Sequence, residues 1–269
     1  MTPPAIHPVD LAVAVLATRP AGLMTDIDGT ISRITSPPEA ATVEPAARAA
    51  LERLAGVLDV VAVISGRAVR AARRMVDVPG LAYVGNHGLE RWYEGRVSHS
   101  LAAAAFRQQM GAVAQAIAAA VDHPGVQVED KWLTLSVHFR EAQDPVIAEQ
   151  QIEAALLPLA AEHGLVVRPG RMVYEVRPPL AINKGTALRD LVEEHGLRAV
   201  VFLGDDVTDL DAMAALRQLG SVAGVKGLSV GVIGPETPAA IPQQADVTVE
   251  GVDGVIAFLT ALADRLNAG

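Results

Sequence analysis

Short apolar runs rich in β-branched residues, each followed by a helical stretch, constrain this chain more than any other feature. Gly22–Met24, Asp59–Ile64 (DVVAVI) and Leu81–Val84 read as strands in the first part, and Ala199–Leu203 (AVVFL) and Ala245–Val249 in the last. Pro45–Leu54, Gly66–Met75, Lys184–Glu194 and Leu210–Leu219 read as helices, the first with Leu51 and Leu54 at helical spacing. A continuous apolar run has no polar face to offer water, so it belongs in a sheet buried on both sides. The alternating helices supply that cover. The fold class is therefore α/β, a doubly wound, mostly parallel, Rossmann-like core sheet.

The middle of the chain breaks this rhythm. Leu101–Val121 reads as one long Ala-rich helix, Val126–Asp130 and Leu133–Arg140 as paired strands, and Ala148–Glu162 as a second helix. Leu165–Arg168 and Met172–Arg177 form another strand pair, with Pro169-Gly170 as the turn signal between them. Helix–strand–strand thus occurs twice, which implies helices packed on an antiparallel sheet. We place an inserted α+β domain at residues 97–179, leaving residues 1–96 and 180–269 for the core.

Composition excludes several functions. Hydrophobic residues make up 51% of the 269 and charged residues 20%, enough for a core and unlike a disordered chain. A net charge of -9 argues against a nucleic-acid partner held by a basic surface. With no cysteine there is no disulfide, thiolate metal site or cysteine nucleophile. The apolar run Leu11–Ala17 follows Asp10 with no Lys or Arg before it, and it is too short to span a bilayer. The expectation is a soluble, cytoplasmic protein with no membrane partner. Oligomeric state is not encoded in any pattern here.

Four motifs carry the chemistry. Asp26-Ile27-Asp28-Gly29-Thr30 leaves an apolar strand, and ligands of open α/β sheets bind at such carboxyl ends. Ser65-Gly66-Arg67 follows DVVAVI, a hydroxyl and a glycine at a helix start, suited to a phosphate and equally to an ordinary Ser N-cap. Asn183-Lys184-Gly185-Thr186 opens another helix, where a cation opposes the dipole unless an anion is present. Gly204-Asp205-Asp206-Val207-Thr208-Asp209 crowds three carboxylates after AVVFL. Thr208 with Asp211 reads as a capping box, which leaves Asp205 and Asp206 unexplained. Two carboxylates ~4 Å apart repel by roughly 4 kcal/mol at an effective dielectric of 20. A hard dication removes that repulsion, and an all-oxygen ligand set indicates Mg2+ rather than zinc.

In the order DxDGT, S-G-R, K-G-T, GDDxTD, these motifs resemble those of the haloacid dehalogenase superfamily of phosphotransferases. The resemblance implies that Asp26 attacks phosphorus and that Asp28 protonates the leaving oxygen and later activates water. It implies that Ser65 and Lys184 hold the phosphoryl group, with Gly66 and Arg67 beside it. Magnesium would be bound by Asp26, the backbone carbonyl of Asp28, and Asp205, with Asp206 and Asp209 in support. A carboxylate suits the nucleophile's role because it is anionic at neutral pH without a base to activate it.

The inserted segment should select the ester. Its strands carry Glu129, Lys131, His138, Arg140, Arg168, Arg171, Glu175 and Arg177, while the whole chain has only two Trp, three Tyr and four Phe. That mixture suits sugar hydroxyls better than stacked bases. Gly85-Asn86-His87-Gly88, Glu129-Asp130-Lys131, Arg168-Pro169-Gly170 and Tyr174-Glu175-Val176-Arg177-Pro178 resemble the trehalose-6-phosphate phosphatase family, over about residues 23–210 with the core motifs. Ile27 stands where that family commonly has an aromatic. The resemblance implies hydrolysis of trehalose 6-phosphate, a cap over the core, contact of Lys131, Arg168 and Glu175 with the sugar, and Asn86 and His87 near the mouth of the site. The alternatives are a phosphatase for sucrose phosphate or a glycosyl-phosphoglycerate, and a non-catalytic sugar-phosphate sensor. The intact Asp26 and Asp28 argue against the sensor. No G-x-G-x-x-G follows the first strand, which argues against a nicotinamide enzyme.

Overall fold

The computed structural model describes residues 7–35, 40–93 and 95–268. These fall into two compact units. The first takes in the residues through Ile34, Ala41–Val97, and Ile182 onward; the second is built on Ser98–Ala181, with Thr35 and Ala40.

In the first unit, α1 (Pro8–Leu16), β1 (Ala21–Thr25), α2 (Pro45–Ala55), β2 (Val60–Ile64), α3 (Val69–Val76) and β3 (Ala82–Gly85) alternate. They lead into β4 (Glu90–Tyr93) and β5 (Arg96–His99). After the second unit's elements come α7 (Lys184–Glu194), β10 (Ala199–Gly204), α8 (Val207–Ala223), β11 (Lys226–Ile233), α9 (Ala240–Gln244), β12 (Val247–Glu250) and α10 (Gly251–Asn267). The sheet order is β12-β11-β10-β1-β2-β3-β4-β5, parallel from β12 to β3 and antiparallel between β3 and β4.

The apolar runs are the centre of this sheet. Every residue of β1, β2 and β10 is buried. Their side chains alternate between two cores. Leu23, Val61, Val63, Val201 and Leu203 pack with α1, α2, α3 and α10 on one face, through Leu16, Leu51, Val76 and Leu259 among others. Met24, Ala62, Ile64, Val200 and Phe202 pack with α7, α8 and α9 on the other, through Leu188, Met213 and Ile241. This is the doubly wound α/β arrangement that the alternation implies.

The second unit contains α4 (Leu101–Ala104), α5 (Arg107–Ala120), β6 (Gln127–Asp130), β7 (Leu135–His138), α6 (Pro145–Glu162), β8 (Val166–Gly170) and β9 (Val173–Arg177). Its sheet runs β6-β7-β9-β8, with all three pairings antiparallel. Two local expectations need correction. The long helix from Leu101 is interrupted at Ala105–Phe106 and becomes α4 and α5. Pro169 and Gly170 lie inside β8; the hairpin turns two residues later, at Arg171 and Met172, where Met172 takes a positive φ of 57°. Among the described residues, no helix is long and apolar enough to cross a membrane.

Candidate active site

Four adjacent parallel strands, β10, β1, β2 and β3, end where the chemistry-bearing residues begin. Asp26 follows β1, Ser65 follows β2, Asn86 follows β3 and Asp205 follows β10. Parallel register keeps those ends level: Thr25 lies opposite Leu203 on one side and Val63 on the other. Asp26 N–H continues the ladder by donating to the Leu203 carbonyl at 3.0 Å. The chain order also reverses direction across β10 and β1, the position where open α/β sheets bind ligands.

At this edge Asp26, Asp205 and Asp209 are all buried, each with one carboxylate oxygen within 4.8 Å of the others'. Lys184, the first residue of α7 and only 2% exposed, reaches them. Its Nζ lies 2.9 Å from Asp26 Oδ1 and 2.7 Å from Asp209 Oδ1. The cation that opposed the helix dipole in sequence is thus held by two carboxylates. A capping box between Asn183 and Thr186 fixes the helix start that delivers it.

One ammonium faces three carboxylates, and the titration of the group reflects the shortfall. Burial pushes Asp26 up to about 7; Lys184 pulls it down, while Asp209 and Asp28 add to the rise. Burial likewise pushes Asp209 up to about 6, Asp205 adding and Lys184 opposing. Burial lowers Lys184, but Asp209 and Asp26 together carry it above the usual lysine range. Three buried oxygen donors with a net negative charge fit a hard divalent cation, which prefers such ligands.

Asp28 and Asp206 keep their side chains outside this group. Asp28 is gripped by Arg67, Nε to Oδ2 and Nη2 to Oδ1, both at 2.7 Å. Asp206 is the N-cap residue of α8 and forms its capping box with Asp209. This replaces the expected Thr208–Asp211 box. Asp209 Oδ2 accepts from the backbone N–H of Asp205 (3.1 Å) and Asp206 (3.0 Å), so the same carboxylate orders the loop and holds Lys184. Gly29 has a φ of 82°, and a Cβ there would run into the Asp205 carboxylate, so only glycine lets the two loops meet. Thr30, the last residue of the DxDGT motif, has no catalytic signal of its own in the sequence and donates from Oγ1 to Asp205 Oδ1 at 3.3 Å.

The Ser65-Gly66-Arg67 loop differs from expectation. The helix begins at Val69, not Gly66, and its first N–H already donates to the Glu90 carboxylate at 2.8 Å. The anion at this helix start is therefore internal to the protein. Glu90 is 5% exposed and had no sequence signal beyond a charge in an unassigned segment. Ser65 Oγ accepts from Arg67 N–H at 3.2 Å. Asn86 and His87 are buried with φ of 46° and 57°, and their N–H groups donate to the carbonyls of Arg67 (2.8 Å) and Ser65 (2.9 Å). A Cβ on Gly66 would strike the His87 imidazole. The 86–87 turn and the 65–67 loop are thus one interlocked feature.

Lys131, Arg168 and Glu175 belong to the second unit and are brought together there. Arg168 pairs opposite Glu175 in the β8–β9 register, and Lys131 Nζ lies 3.8 Å from Glu175 Oε1. Arg177 also donates to Glu175, its Nε at 3.0 Å from Oε2.

The doubly wound sheet with its acidic cluster at the strand ends is that of the haloacid dehalogenase superfamily. The C-terminal domain of a trehalose-6-phosphate phosphatase from C. albicans superposes with a TM-score of 0.78 at 23% identity, covering 97% of this chain and 98% of that one. The trehalose-phosphatase family model matches residues 24–240, and the chain belongs to that family. A trehalose-phosphate phosphatase of Mycobacterium avium is 38% identical over 219 residues, covering 78% of this chain and 54% of that protein. An uncharacterized glycosyl hydrolase of Mycobacterium tuberculosis is 38% identical over 215 residues, covering 77% of this chain and 16% of its own. The chain thus spans about half the length of the phosphatase and a smaller part of the hydrolase.

Proposed function

We propose that this chain hydrolyses trehalose 6-phosphate to trehalose and phosphate, using magnesium and a phosphorylated Asp26. The observation that carries the reading is the buried group of Asp26, Asp205 and Asp209, two of which, Asp26 and Asp209, share the ammonium of Lys184. Asp26 is the nucleophile: its carboxylate oxygen bonds to phosphorus as the bond from phosphorus to the sugar oxygen breaks. Asp28 gives that oxygen its proton. Asp28 then takes a proton from water, whose oxygen attacks phosphorus, releasing phosphate and restoring the Asp26 carboxylate. Lys184 and Ser65 hold the phosphoryl oxygens, and Arg67 orients Asp28. Asp26, Asp205 and Asp209, with the Asp28 carbonyl and Asp206 in support, would hold magnesium, which supplies neutralisation of phosphoryl charge.

The second unit is the substrate-specificity cap in this reading, and Lys131, Arg168 and Glu175 meet the sugar. Phosphate release from trehalose 6-phosphate, sucrose 6-phosphate and a glucosyl-phosphoglycerate, with magnesium and with excess chelator, tests it. Turnover of trehalose 6-phosphate is expected to lead and to require the metal. Trapping on acid quench should place phosphate on Asp26; phosphate on another side chain would refute the mechanism.

A further inference from the structure

The four-stranded sheet of the second unit has two unlike faces. Leu135, Val137, Tyr174 and Val176 point into the apolar core with α5 and α6, and Val128 and Val167 pack against it. Side chains alternate along a strand, so the residues between these point the other way. On that opposite face the register aligns Glu129 with Ser136, Ser136 with Glu175, and Glu175 with Arg168. The result is one polar row across all four strands. Ser136 has the shortest side chain in it and stands between the two carboxylates.

Ser136 is 1% exposed, and its Oγ has no hydrogen-bond partner among the described residues. A buried hydroxyl without a partner has given up hydration without compensation, which calls for a specific explanation such as a ligand group that completes it. The carboxylates beside it are held by other residues, Glu175 Oε2 by Arg177 Nε at 3.0 Å and Glu129 Oε2 by His138 Nε2 at 3.2 Å. Lys131 Nζ lies 3.8 Å from Glu129 Oε2 and 3.8 Å from Glu175 Oε1, the two residues flanking Ser136 in the row. Neither separation is that of a hydrogen bond.

We propose that Ser136 is a specificity-determining residue whose hydroxyl pairs with a ring hydroxyl of the sugar. This rests on the sugar-phosphate reading given above. A hydroxyl both donates and accepts, as a sugar hydroxyl does, so the two can pair in either sense. Glu129 and Glu175 accept on either side, and Lys131 and Arg168 donate. The row is therefore complementary to a run of neighbouring hydroxyls, and Ser136 is the member left unsatisfied until they arrive.

Ser136→Ala separates this from a packing role, because the two predict opposite signs. If the serine is structural, its loss should lower the melting temperature and reduce turnover of every substrate alike. If it serves the sugar, removing an orphaned hydroxyl leaves the melting temperature unchanged or raised. In that case kcat/KM for trehalose 6-phosphate falls roughly fivefold, as for loss of one neutral hydrogen bond. Hydrolysis of p-nitrophenyl phosphate, which has no sugar, stays at the wild-type rate. Calorimetric titration with free trehalose should show the same loss of affinity. A destabilised variant that loses both substrates equally overturns the proposal, as does unchanged affinity for trehalose together with unchanged kcat/KM for its phosphate. If the wild type binds trehalose without hydrolysing its phosphate, the phosphatase reading fails and the titration alone decides the role of Ser136. A wild type that does not bind trehalose overturns the proposal whatever its phosphatase activity.

Discussion

Arg67 holds Asp28 by two parallel hydrogen bonds of 2.7 Å, so the guanidinium fixes both the position and the plane of that carboxylate. The pair joins the first strand's loop to the second's. In the proposed mechanism this pairing gives Arg67 a role in orienting Asp28, beside the phosphate-binding role implied by its place in Ser65-Gly66-Arg67.

Arg67→Lys keeps the charge and loses the fork. Expected is a fall of at least tenfold in kcat on trehalose 6-phosphate, whose alkoxide leaving group needs a well-aimed proton. A p-nitrophenyl leaving group needs that proton less and should suffer less. Equal losses on the two substrates would show that Arg67 contacts the phosphoryl group instead of serving Asp28.

Lys184→Met removes the ammonium that Asp26 and Asp209 share. Two carboxylates then remain buried without their counter-ion, and breaking a buried pair on one side costs about 3–5 kcal/mol. Urea denaturation of the metal-free protein should show a loss of that size. Magnesium should return part of it. A variant as stable as wild type in chelator would mean the carboxylates were protonated or solvated throughout.

Asp26 links the same cluster to pH. Its carboxyl is raised from 3.8 to about 7 in the folded state, so between those values the folded protein binds the extra proton. Stability contributed by this group therefore falls as pH rises through that window and levels off above it. The metal-free melting temperature of Asp26→Asn should exceed that of wild type at pH 8, with a shallower decline between pH 4 and 7. Magnesium should raise the wild-type melting temperature more at pH 8 than at pH 5, by mass action on the ionised site. A lower melting temperature for Asp26→Asn at pH 8 would contradict the charge imbalance.

Glu90→Ala deletes the carboxylate that accepts from Val69 N–H at the start of α3. Loss of such a cap costs about 1 kcal/mol, readable as a shift in the denaturation midpoint. Since α3 follows directly from the 65–67 loop, kcat should fall on sugar and aryl phosphates alike. Glu90→Gln, which retains an acceptor oxygen, should recover most of both losses. If Glu90→Gln is as impaired as Glu90→Ala, the negative charge and not the cap is what matters.

What could be read in the sequence was whatever depends on neighbours along the chain. DVVAVI and AVVFL have no polar face, so they had to be central strands. Elements whose sequence mixes signals have no clear local signature: α1, the charged strands β4 and β5 at one end of the sheet, and β11, whose glycines and serine interrupt its apolar run. Pro169-Gly170 does not form the turn, because antiparallel pairing through Gly170 and Val173 overrides local turn propensity.

The sequence by itself determined which residue types stand at the ends of which strands: Asp26 and Asp28, Ser65, Lys184, and Asp205, Asp206 and Asp209. Periodicity and punctuation act locally, and these motifs sit at local boundaries. Only the tertiary structure decided which of them meet. Asp26 and Asp209 share Lys184, Asp28 pairs with Arg67, Asp206 caps its helix, and Glu90 accepts from the first N–H of α3. Those partnerships join residues up to 183 positions apart in sequence, as from Asp26 to Asp209. They follow from strand order and register, which are set by burying two sheet faces at once and leave no trace in any short stretch of chain.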